Sequence, residues 1–339
     1  MKSNYNEKID FVLIWVDGND PAWREEKAKY DGSTLGFDDS DIRYRDWGNL
    51  QYWFRGVEKY APWVNKIHFV TWGHLPEWLD TTDPRLNIVN HKDYIPEKYL
   101  PTFNANTIEL NLHRIAGLAE QFVYFNDDMF ITRPVKPTDF FAKGKPKDIF
   151  SLNAIYFDKK SAGYLNGNDM ELINSNFKKD EAFKKNSLKW YHPIYGGRNI
   201  MKTMFFMKYP WFPGFYYNHL PSNFLKSTFK EVWEKESETL DATCMDKFRN
   251  KTNVNQWLMK FWQLAGGEFE PGTPKIGRCF HIREKRFLST LDAISAGKYK
   301  LICINDTVNI SDFDAQKNRV IEAFDTLLSD KSDFEKDMQ

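Results

Sequence analysis

Two adjacent carboxylates, Asp127 and Asp128, follow an apolar run at residues 122–125. A short apolar run of this kind is typical of a buried strand. Paired carboxylates at a strand end are typical ligands for a hard divalent cation such as Mg²⁺, which also takes substrate phosphates. Asp is equally common in solvated turns, so the pair alone does not distinguish a metal site from a turn.

A polar stripe precedes the acidic pair and favours the metal interpretation. Asn106, Glu109 and His113 are spaced i, i+3 and i+7, which places them on one face of a helix. Asn104 or Asn106 can cap that helix, and Gly117 ends it. The segment 100–132 is therefore predicted to be a helix and a strand that deliver polar side chains to one place.

Further groups suited to phosphate chemistry lie near the N-terminus. Asp17 follows the apolar run at residues 11–16, where open α/β sheets bind ligands. Arg43 offers a planar fork for bidentate contact with phosphate. Asp46 has three interpretations: a metal ligand, a proton acceptor for a substrate hydroxyl, or an ion-pair partner of Arg43 or Arg45.

Two histidines in an aromatic-rich stretch, His192 and His219, are candidates for proton transfer because imidazole titrates near neutral pH. A histidine among aromatic residues more often has a packing role. The residue types alone do not distinguish a role in proton transfer from a role in packing.

The elements that must position these groups follow an α/β pattern. Apolar runs alternate with helical patterns, which predicts a mostly parallel sheet flanked by helices. The predicted strands are residues 11–16, 67–72, 86–89, 122–125 and 301–304, and the predicted helices include 24–30, 50–62, 228–238, 254–264 and 313–328. Residues 136–189 are rich in charge, which predicts a solvated insert.

Composition excludes several classes of protein. Lysine plus arginine and aspartate plus glutamate both number 47, so the chain lacks the basic surface of a general nucleic-acid binder. No apolar run approaches the roughly 20 residues of a membrane span, although a peripheral membrane contact is compatible with the sequence. The three cysteines form no CxxC pair and favour a reduced, cytoplasmic setting.

Four segments together resemble the Stealth family of sugar-1-phosphate transferases. They are IDFVLIWVDGNDPAW at residues 9–23, RYRDWGNLQYWFRGVEKYAPWVNKIHFVTWGHLPEWL at 43–79, PRLNIVNHKDYIP at 84–96 and LPTFNANTIELNLHRIAGLAEQFVYFNDDMF at 100–130. Weaker matches lie near His219, Arg249 and Asp306. The family's Asp-Asn-x-Glu-Leu motif reads Asp46-Trp47-Gly48-Asn49-Leu50 here, so only Asp46 is carried over from it.

The resemblance implies a fold, a reaction and a set of residues. The fold would be GT-A-like or Rossmann-like with an inserted variable segment, and Mg²⁺ or Mn²⁺ would be held by Asp127 and Asp128. His219 is preferred as general base, with Asp46 second. The implied catalytic residues are His219, Asp46, Arg249 and Asp128, and the implied substrate-binding residues are Trp15, Asp17, Gly18, Arg43, Asn106, Glu109, His113 and Arg114.

The implied reaction transfers a sugar-1-phosphate from a nucleotide-sugar, of the UDP class, to a hydroxyl of an oligosaccharide or polysaccharide acceptor in surface-polysaccharide synthesis. The predicted setting is the cytoplasm, at the inner face of the membrane. The predicted division is a nucleotide-sugar core at 1–135, a variable acceptor segment at 136–199, the remaining core at 200–328 and a tail at 329–339. The alternatives are an ordinary glycosyltransferase that releases UDP and a non-catalytic glycan-binding module.

Overall fold

The structure is a computed structural model that describes residues 7–30, 45–157, 163–282, 286–306 and 312–337. Arg43, one of the predicted phosphate ligands, lies outside these ranges. The described strands are β1 (Ile9–Ile14), β2 (Ile67–Thr71), β3 (Leu86–Asn90), β4 (Gln121–Asn126), β5 (Met129–Ile131), β6 (Phe141–Ala142), β7 (Lys145–Asp148), β8 (Ser222–Leu225), β9 (Glu270–Pro271), β10 (Gly277–His281) and β11 (Leu301–Asn305).

The described α-helices alternate with these strands along much of the chain. They are α1 (Pro21–Ala28), α2 (Leu50–Tyr60), α3 (His91–Tyr94), α4 (Ala105–Leu110), α5 (Pro137–Phe140), α6 (Gly163–Asn176), α7 (Lys179–Trp190), α8 (Gly197–Phe206), α9 (Lys226–Lys235), α10 (Ser237–Met245), α11 (Trp257–Gly266), α12 (Phe287–Ser295) and α13 (Phe313–Leu327). None of the helices in the described ranges is long and apolar enough to cross a bilayer.

The central sheet has the order β3-β2-β1-β4-β8. The pairs β2–β3, β1–β2 and β1–β4 are parallel, and β8 is antiparallel to β4. The predicted α/β class with a mostly parallel sheet is therefore confirmed. The register pairs Ile14 with Asn126, so the carboxyl ends of β1 and β4 lie side by side.

Alternating side chains of the central strands enter two separate hydrophobic cores. Phe11 and Leu13 of β1 point into one core, whereas Val12 points into the other. Successive residues of a strand face opposite sides of a sheet, so the two cores cover its two faces. The sheet is consequently buried on both faces, which explains the uninterrupted apolar sequences of β1 and β4.

A second sheet, of order β10-β11-β5, meets the central one at the acidic pair. Strand β5 is antiparallel to β11, and β11 is parallel to β10. Residues Asp127 and Asp128 form the turn between β4 and β5, where the chain leaves one sheet and enters the other. The acidic pair is thus held by two sheets.

The prediction that residues 136–189 are mostly solvated is wrong. Phe150, Leu152 and Ile173 are fully buried in one of the two cores, as is Trp190 immediately after the segment. The Trp190 ring stacks on Phe150 with centroids 4.1 Å apart. The prediction failed because the many charged residues of α7 and the adjoining segments outweighed the apolar residues that are buried. The division of the chain at residues 135 and 199 stays a prediction.

The predicted helix through His113 is wrong in its length. Asn104 caps α4 by accepting the backbone N–H of Asn106, as predicted, but α4 ends at Leu110. The Asn111 side chain donates to the Thr107 carbonyl at 2.8 Å, and such a contact competes with continued helix. A 3₁₀ turn at residues 112–114 follows, so the spacing of an α-helix is not maintained to His113.

Candidate active site

Three carboxylates converge at the carboxyl ends of β1 and β4. Asp127 and Asp128 occupy the turn after β4, and Asp46 precedes α2. Partial desolvation and the charges of Asp128 and Asp46 raise the pKa of Asp127 to about 7. The Asp127 side chain still reaches solvent, so desolvation acts only in part. Repulsion between the carboxylates also favours the protonated form and so raises the pKa of Asp127.

The acidic cluster has the chemistry of a site for a hard cation. Oδ1 of Asp128 is buried and accepts no hydrogen bond from the residues that the structure describes. Buried carboxylate oxygens are normally paired, so a buried oxygen of this kind beside the Asp127 carboxylate fits a divalent ion. Mg²⁺ and Mn²⁺ prefer such oxygen ligands. Asp127 and Asp128 therefore fit the predicted metal role, and Asp46 lies near enough for its charge to raise the pKa of Asp127.

A chain of polar contacts runs from Glu109 to His219 beside the acidic pair. The Tyr124 hydroxyl lies 2.8 Å from Oε1 of Glu109 and 2.5 Å from Oδ1 of Asn126. Nδ2 of Asn126 lies 3.1 Å from Nε2 of His219. A hydroxyl has one proton to donate, so it can satisfy only one of its two acceptors at a time.

This contact chain has two arrangements that satisfy every member. In the first, protonated Glu109 donates to Tyr124, Tyr124 donates to Asn126, and the Asn126 amide donates to Nε2 of His219. In the second, the amide is rotated: Tyr124 donates to the Glu109 carboxylate, Asn126 donates to Tyr124, and Nε2–H of His219 donates to Asn126. Only the second arrangement leaves the Nδ1 lone pair of a neutral His219 as proton acceptor.

Glu109 is the ionisable carboxyl group at one end of this chain of contacts. Its burial raises its pKa, and this is opposed by the charge of Arg249, the Tyr124 hydrogen bond and the backbone N–H of Gln256. The nearby cation and the two donors are the groups that a buried carboxylate requires to remain ionised. Burial therefore disfavours the ionised form of Glu109, whereas Arg249 and the two hydrogen-bond donors stabilise it.

The loop that carries Arg249 is anchored by a buried asparagine. Oδ1 of Asn253 accepts from the Asn250 backbone at 2.9 Å and from Nδ2 of Asn104 at 3.0 Å, and lies 3.5 Å from Nδ2 of Asn106. The cap of α4 and the Arg249 loop therefore share one hydrogen-bonding centre. Asn106, a predicted ligand-binding residue, supports this loop.

A cleft of about 640 Å³ opens next to Asp46. Its described lining includes Gly18, Asn19, Trp23, Arg24, Lys27, Ala28, Arg45, Asp46, Phe313 and Lys317. Several of these residues are cationic, which suits the phosphates of a nucleotide. Arg24 donates to the Gly18 carbonyl at 2.6 Å, and Lys317 donates to the Asp46 carbonyl at 2.9 Å, so both cations are held at the cleft wall.

The predicted residues after β1 border this cleft. Gly18 lines it directly. The backbone N–H of Asp17 donates to Nε2 of His74 at 2.7 Å, and Oδ1 of Asp17 accepts from the Asn19 backbone. Trp15 stacks on Phe69 with centroids 5.7 Å apart. Asp17 and Trp15 thus shape the turn that leads into the cleft.

His113 and Arg114 are not brought to the acidic cluster. His113 is buried beside Phe229 and Trp233, and its burial, followed by the charge of Arg114, lowers its pKa to about 3. Arg114 lies over the Trp233 ring at 4.9 Å and donates to Asn111. Both side chains belong to the packing around α9.

Several residues of the site carry no recognisable signal in the sequence. Tyr124 and Asn126 belong to β4, where the apolar pattern predicts only a strand. Cys303 of β11 lies against the acidic pair, with its sulfur 3.2 Å from Oδ2 of Asp128. Asp306 lies 3.2 Å from Nε of Arg45. Asp306 is the exception, because it follows an apolar run and lies in one of the weaker matches to the Stealth family.

Comparison with known proteins identifies the family. The models "Stealth protein CR1, conserved region 1" and "Stealth protein CR2, conserved region 2" match residues 7–34 and 43–149. The "Receptor polysaccharide phosphotransferase WefC" of Streptococcus gordonii is 44% identical over 97% of this chain and 99% of its own length. The chain belongs to the Stealth family. The predicted family is therefore confirmed.

Other Stealth relatives cover the chain equally well. The "Capsular polysaccharide phosphotransferase WcwK" of Streptococcus pneumoniae is 44% identical over 97% of this chain and 99% of its own. The "Exopolysaccharide phosphotransferase cps2G" of Lactiplantibacillus plantarum is 38% identical over 97% and 96%. Among solved structures, the galactosyltransferase LgtC covers 94% of this chain and 96% of its own at 10% identity, with a TM-score of 0.39.

Proposed function

We propose that this Stealth protein transfers a sugar-1-phosphate from a nucleotide-sugar donor to a hydroxyl of a glycan acceptor in capsular or surface-polysaccharide synthesis. The observation that carries the proposal is the convergence of Asp46, Asp127 and Asp128 with the Glu109-to-His219 contact chain at one sheet edge. The names of the Stealth relatives as polysaccharide phosphotransferases support the same reaction class. A UDP-sugar is the proposed donor.

The proposed step forms one bond and breaks another at the phosphorus that carries the sugar. The acceptor oxygen attacks this phosphorus, and the bond to the oxygen that bridges the two phosphates breaks. The nucleoside monophosphate leaves with that oxygen, so the bond between sugar and phosphate is untouched. Such transfers depend mainly on positioning and on neutralising phosphate charge.

Each group in the site has a proposed part in this step. Nδ1 of His219 accepts the hydroxyl proton, and the Asn126 amide fixes the ring orientation through Nε2; Asp46 is the second candidate for the base. Asp127 and Asp128 would hold Mg²⁺ or Mn²⁺, which supplies positive charge against the donor phosphates. Arg249 and the cations of the cleft contribute further positive charge.

The nucleotide product tests the proposal directly. Protein, Mg²⁺, a panel of UDP-sugars and capsule-type oligosaccharides would be incubated and the nucleotides separated by chromatography. We expect UMP that appears only with acceptor. UDP would instead support the ordinary glycosyltransferase. Absence of any nucleotide binding by calorimetry would leave the non-catalytic glycan-binding module.

Two variants and a matched control test the assignment of residues. Asp128→Asn and His219→Ala should abolish UMP release while the circular dichroism spectrum stays that of the wild type. His192→Ala is the control, because the His192 ring accepts the Ile194 backbone N–H and serves a local turn. Near-normal turnover of either active-site variant would remove that residue from the mechanism.

The proposed setting is the cytoplasm at the inner face of the membrane, where a lipid-anchored acceptor would be met. Among the described surfaces, the exposed apolar and basic side of α8 supports this location.

A further inference from the structure

Two thiols and an imidazole meet beside the acidic cluster. Cys279 of β10 and Cys303 of β11 are register partners on parallel strands, and their sulfur atoms lie 3.5 Å apart. A ring nitrogen of His219 joins them, and the three ligand atoms all lie within 4.8 Å of one another. This spacing is that of ligands around a single small ion, and residues so far apart in sequence show no motif.

The third cysteine, Cys244, has the surroundings of a thiol with a packing role. Cys244 is buried in the other hydrophobic core, and its sulfur contacts Nδ2 of Asn111 at 3.4 Å. Buried cysteines commonly serve as small apolar residues of this kind. Cys279 differs because it is only partly buried and faces a second thiol and an imidazole.

The ligand type separates this group from the acidic pair. Two sulfurs and one imidazole nitrogen are soft and borderline ligands, which select Zn²⁺ over Mg²⁺. We propose that His219, Cys279 and Cys303 form a thiophilic metal site that takes Zn²⁺, distinct from the oxygen site at Asp127 and Asp128. Three protein ligands leave one position of a tetrahedral ion open.

Occupation of this site requires the loss of thiol protons. The Cys303 thiol donates its proton towards Oδ2 of Asp128, 3.2 Å away. Zn²⁺ binding converts the two thiols to thiolates and releases their protons to solvent. The contact with Asp128 is then replaced by a bond to the metal, which couples the soft site to the acidic pair.

The soft site also shares His219 with the proposed reaction. A Zn²⁺ ion on the His219 ring uses the lone pair that would accept the acceptor's proton. Zinc bound at this site is therefore expected to inhibit turnover. This consequence rests on the proposed function, whereas the binding of zinc does not.

Cobalt absorption tests the metal site without any substrate. The reduced, metal-free full chain would be titrated with Co²⁺, whose thiolate complexes show intense ligand-to-metal charge-transfer bands, and then with Zn²⁺ in competition. We expect one Co²⁺ site with thiolate bands that Zn²⁺ abolishes. Cys279→Ser should weaken binding by more than the roughly 10–100-fold lost on changing an outer-shell residue.

Matched variants decide the outcome. Cys244→Ser removes the packing thiol and should retain the charge-transfer bands. Asp127→Asn should retain them as well, because Asp127 belongs to the oxygen site. The proposal is overturned if the wild type shows no thiolate bands at saturating Co²⁺, if Cys279→Ser keeps them, or if Cys244→Ser loses them equally. These absorption measurements use no substrate, so a failure to observe UMP release would not change their interpretation.

A separate observation concerns the surface around α8. Residues 182–230 contain no aspartate or glutamate, although the chain as a whole has as many acidic as basic residues. Within α8 and the turn after it, Arg198, Met201, Phe205 and Lys208 recur at spacings of three or four and share one face. The opposite side of α8 carries Thr203, its buried residue.

The apolar side chains of this face are unusually exposed. Met201, Met204, Phe205 and Trp211 are 65%, 61%, 58% and 57% exposed. The Lys208 ammonium lies 4.3 Å from the Phe205 ring centroid, so cation and aromatic ring are presented together. We name this set, with Arg198, the α8 surface.

A buried lysine holds the α8 surface in place. Nζ of Lys179 donates to the backbone carbonyls of Phe206, Met207 and Tyr209 at the C-terminal end of α8. A cation suits the carbonyl end of a helix. The exposed side chains therefore belong to an anchored element rather than to a frayed end.

The geometry points to the interface of an anionic lipid bilayer as the partner of the α8 surface. Interfacial helices combine Trp, Phe and other apolar side chains with Lys and Arg, and bind by apolar burial together with attraction to anionic lipid. Charge complementarity selects this occupant, because the 49 consecutive residues of the chain that include α8 carry no acidic side chain. This surface gives the proposed peripheral membrane location a structural basis.

Vesicle sedimentation tests this partner. The full chain would be mixed with vesicles of phosphatidylcholine alone or with about one third phosphatidylglycerol. We expect binding to the anionic vesicles that weakens with salt. The double variant Met201→Ser/Phe205→Ser should lose at least tenfold in partition coefficient. Leu288→Ser, which removes a 63% exposed apolar residue of α12, should not.

Three results would overturn the membrane assignment. They are no binding to anionic vesicles, equal loss in the Leu288 control, and a stable dimer in solution that the double variant dissociates. The last result would assign the α8 surface to a second copy of the chain. None of them depends on turnover, so the proposed function is tested separately.

Discussion

Removal of the Tyr124 hydroxyl is the sharpest test of the contact chain between Glu109 and His219. Tyr124 is buried, and its hydroxyl lies between Oε1 of Glu109 and Oδ1 of Asn126, at 2.8 and 2.5 Å. Tyr124→Phe preserves the ring and its packing but removes this bridge. Tyr94→Phe is the matched control, because the Tyr94 hydroxyl is also buried but donates to the Ile108 carbonyl at 3.1 Å.

The expected effects on stability and on turnover differ between the two variants. A buried acceptor left without its donor costs about 1–3 kcal/mol, so both variants should lose free energy of unfolding in this range. Only Tyr124→Phe also frees the Asn126 amide from its position. If Asn126 then loses a net hydrogen bond of about 1 kcal/mol to His219, kcat falls about fivefold.

The assay is acceptor-dependent UMP release, with kcat and KM measured separately. KM for the donor should be unchanged, because Tyr124 lies in β4 and does not line the cleft beside Asp46. The ¹⁵N chemical shifts of the His219 ring would report its tautomer without turnover, and Tyr124→Phe should shift that tautomer. Equal kcat values in Tyr124→Phe and Tyr94→Phe, with an unchanged His219 tautomer, would refute the proposed positioning role.

Three further predictions concern stability. Burial raises the pKa of Glu109, so its ionisation opposes folding as pH rises above about 4.3. The free energy of unfolding of Glu109→Gln should therefore increase relative to that of the wild type as pH rises above this value in urea unfolding, and a difference that does not change with pH would contradict this. Asp10 is buried, yet hydrogen bonds from His68, Asn65 and Ala119 lower its pKa; its contribution is complete above about pH 3.9 and is lost as pH falls through the lower folded value, so the destabilisation by Asp10→Asn should shrink there. A Cβ at Gly56 would lie 2.5 Å from the Ile131 carbonyl oxygen, so Gly56→Ala should cost about 1–3 kcal/mol, whereas Gly197→Ala meets nothing within 4 Å and should not; equal unfolding midpoints would exclude the clash.

Much of the central sheet is predictable from the sequence because its signals are local. The apolar runs at residues 11–14 of β1 and 122–125 of β4 are continuous because both faces of the sheet are buried there. In open α/β sheets ligands bind beyond the carboxyl ends of the strands, so the position of Asp17 after such a run is enough to predict that it lies at this edge of the sheet. The cap at Asn104 is likewise predictable from a single turn of chain.

The α/β class, the mostly parallel character of the sheet and the acidic pair after β4 can be predicted from the sequence, because hydrophobic period and turn chemistry act over a few residues. The contact of Asn126 with His219, the approach of Cys279 to Cys303 and the packing of His113 away from the acidic pair arise from the tertiary structure. These relations depend on the pairing of β10 with β11 and on the end of α4, where long-range packing outweighs local preference. Such contacts join residues that are distant in sequence, for example Asn126 and His219, which are 93 positions apart, and no local pattern encodes them.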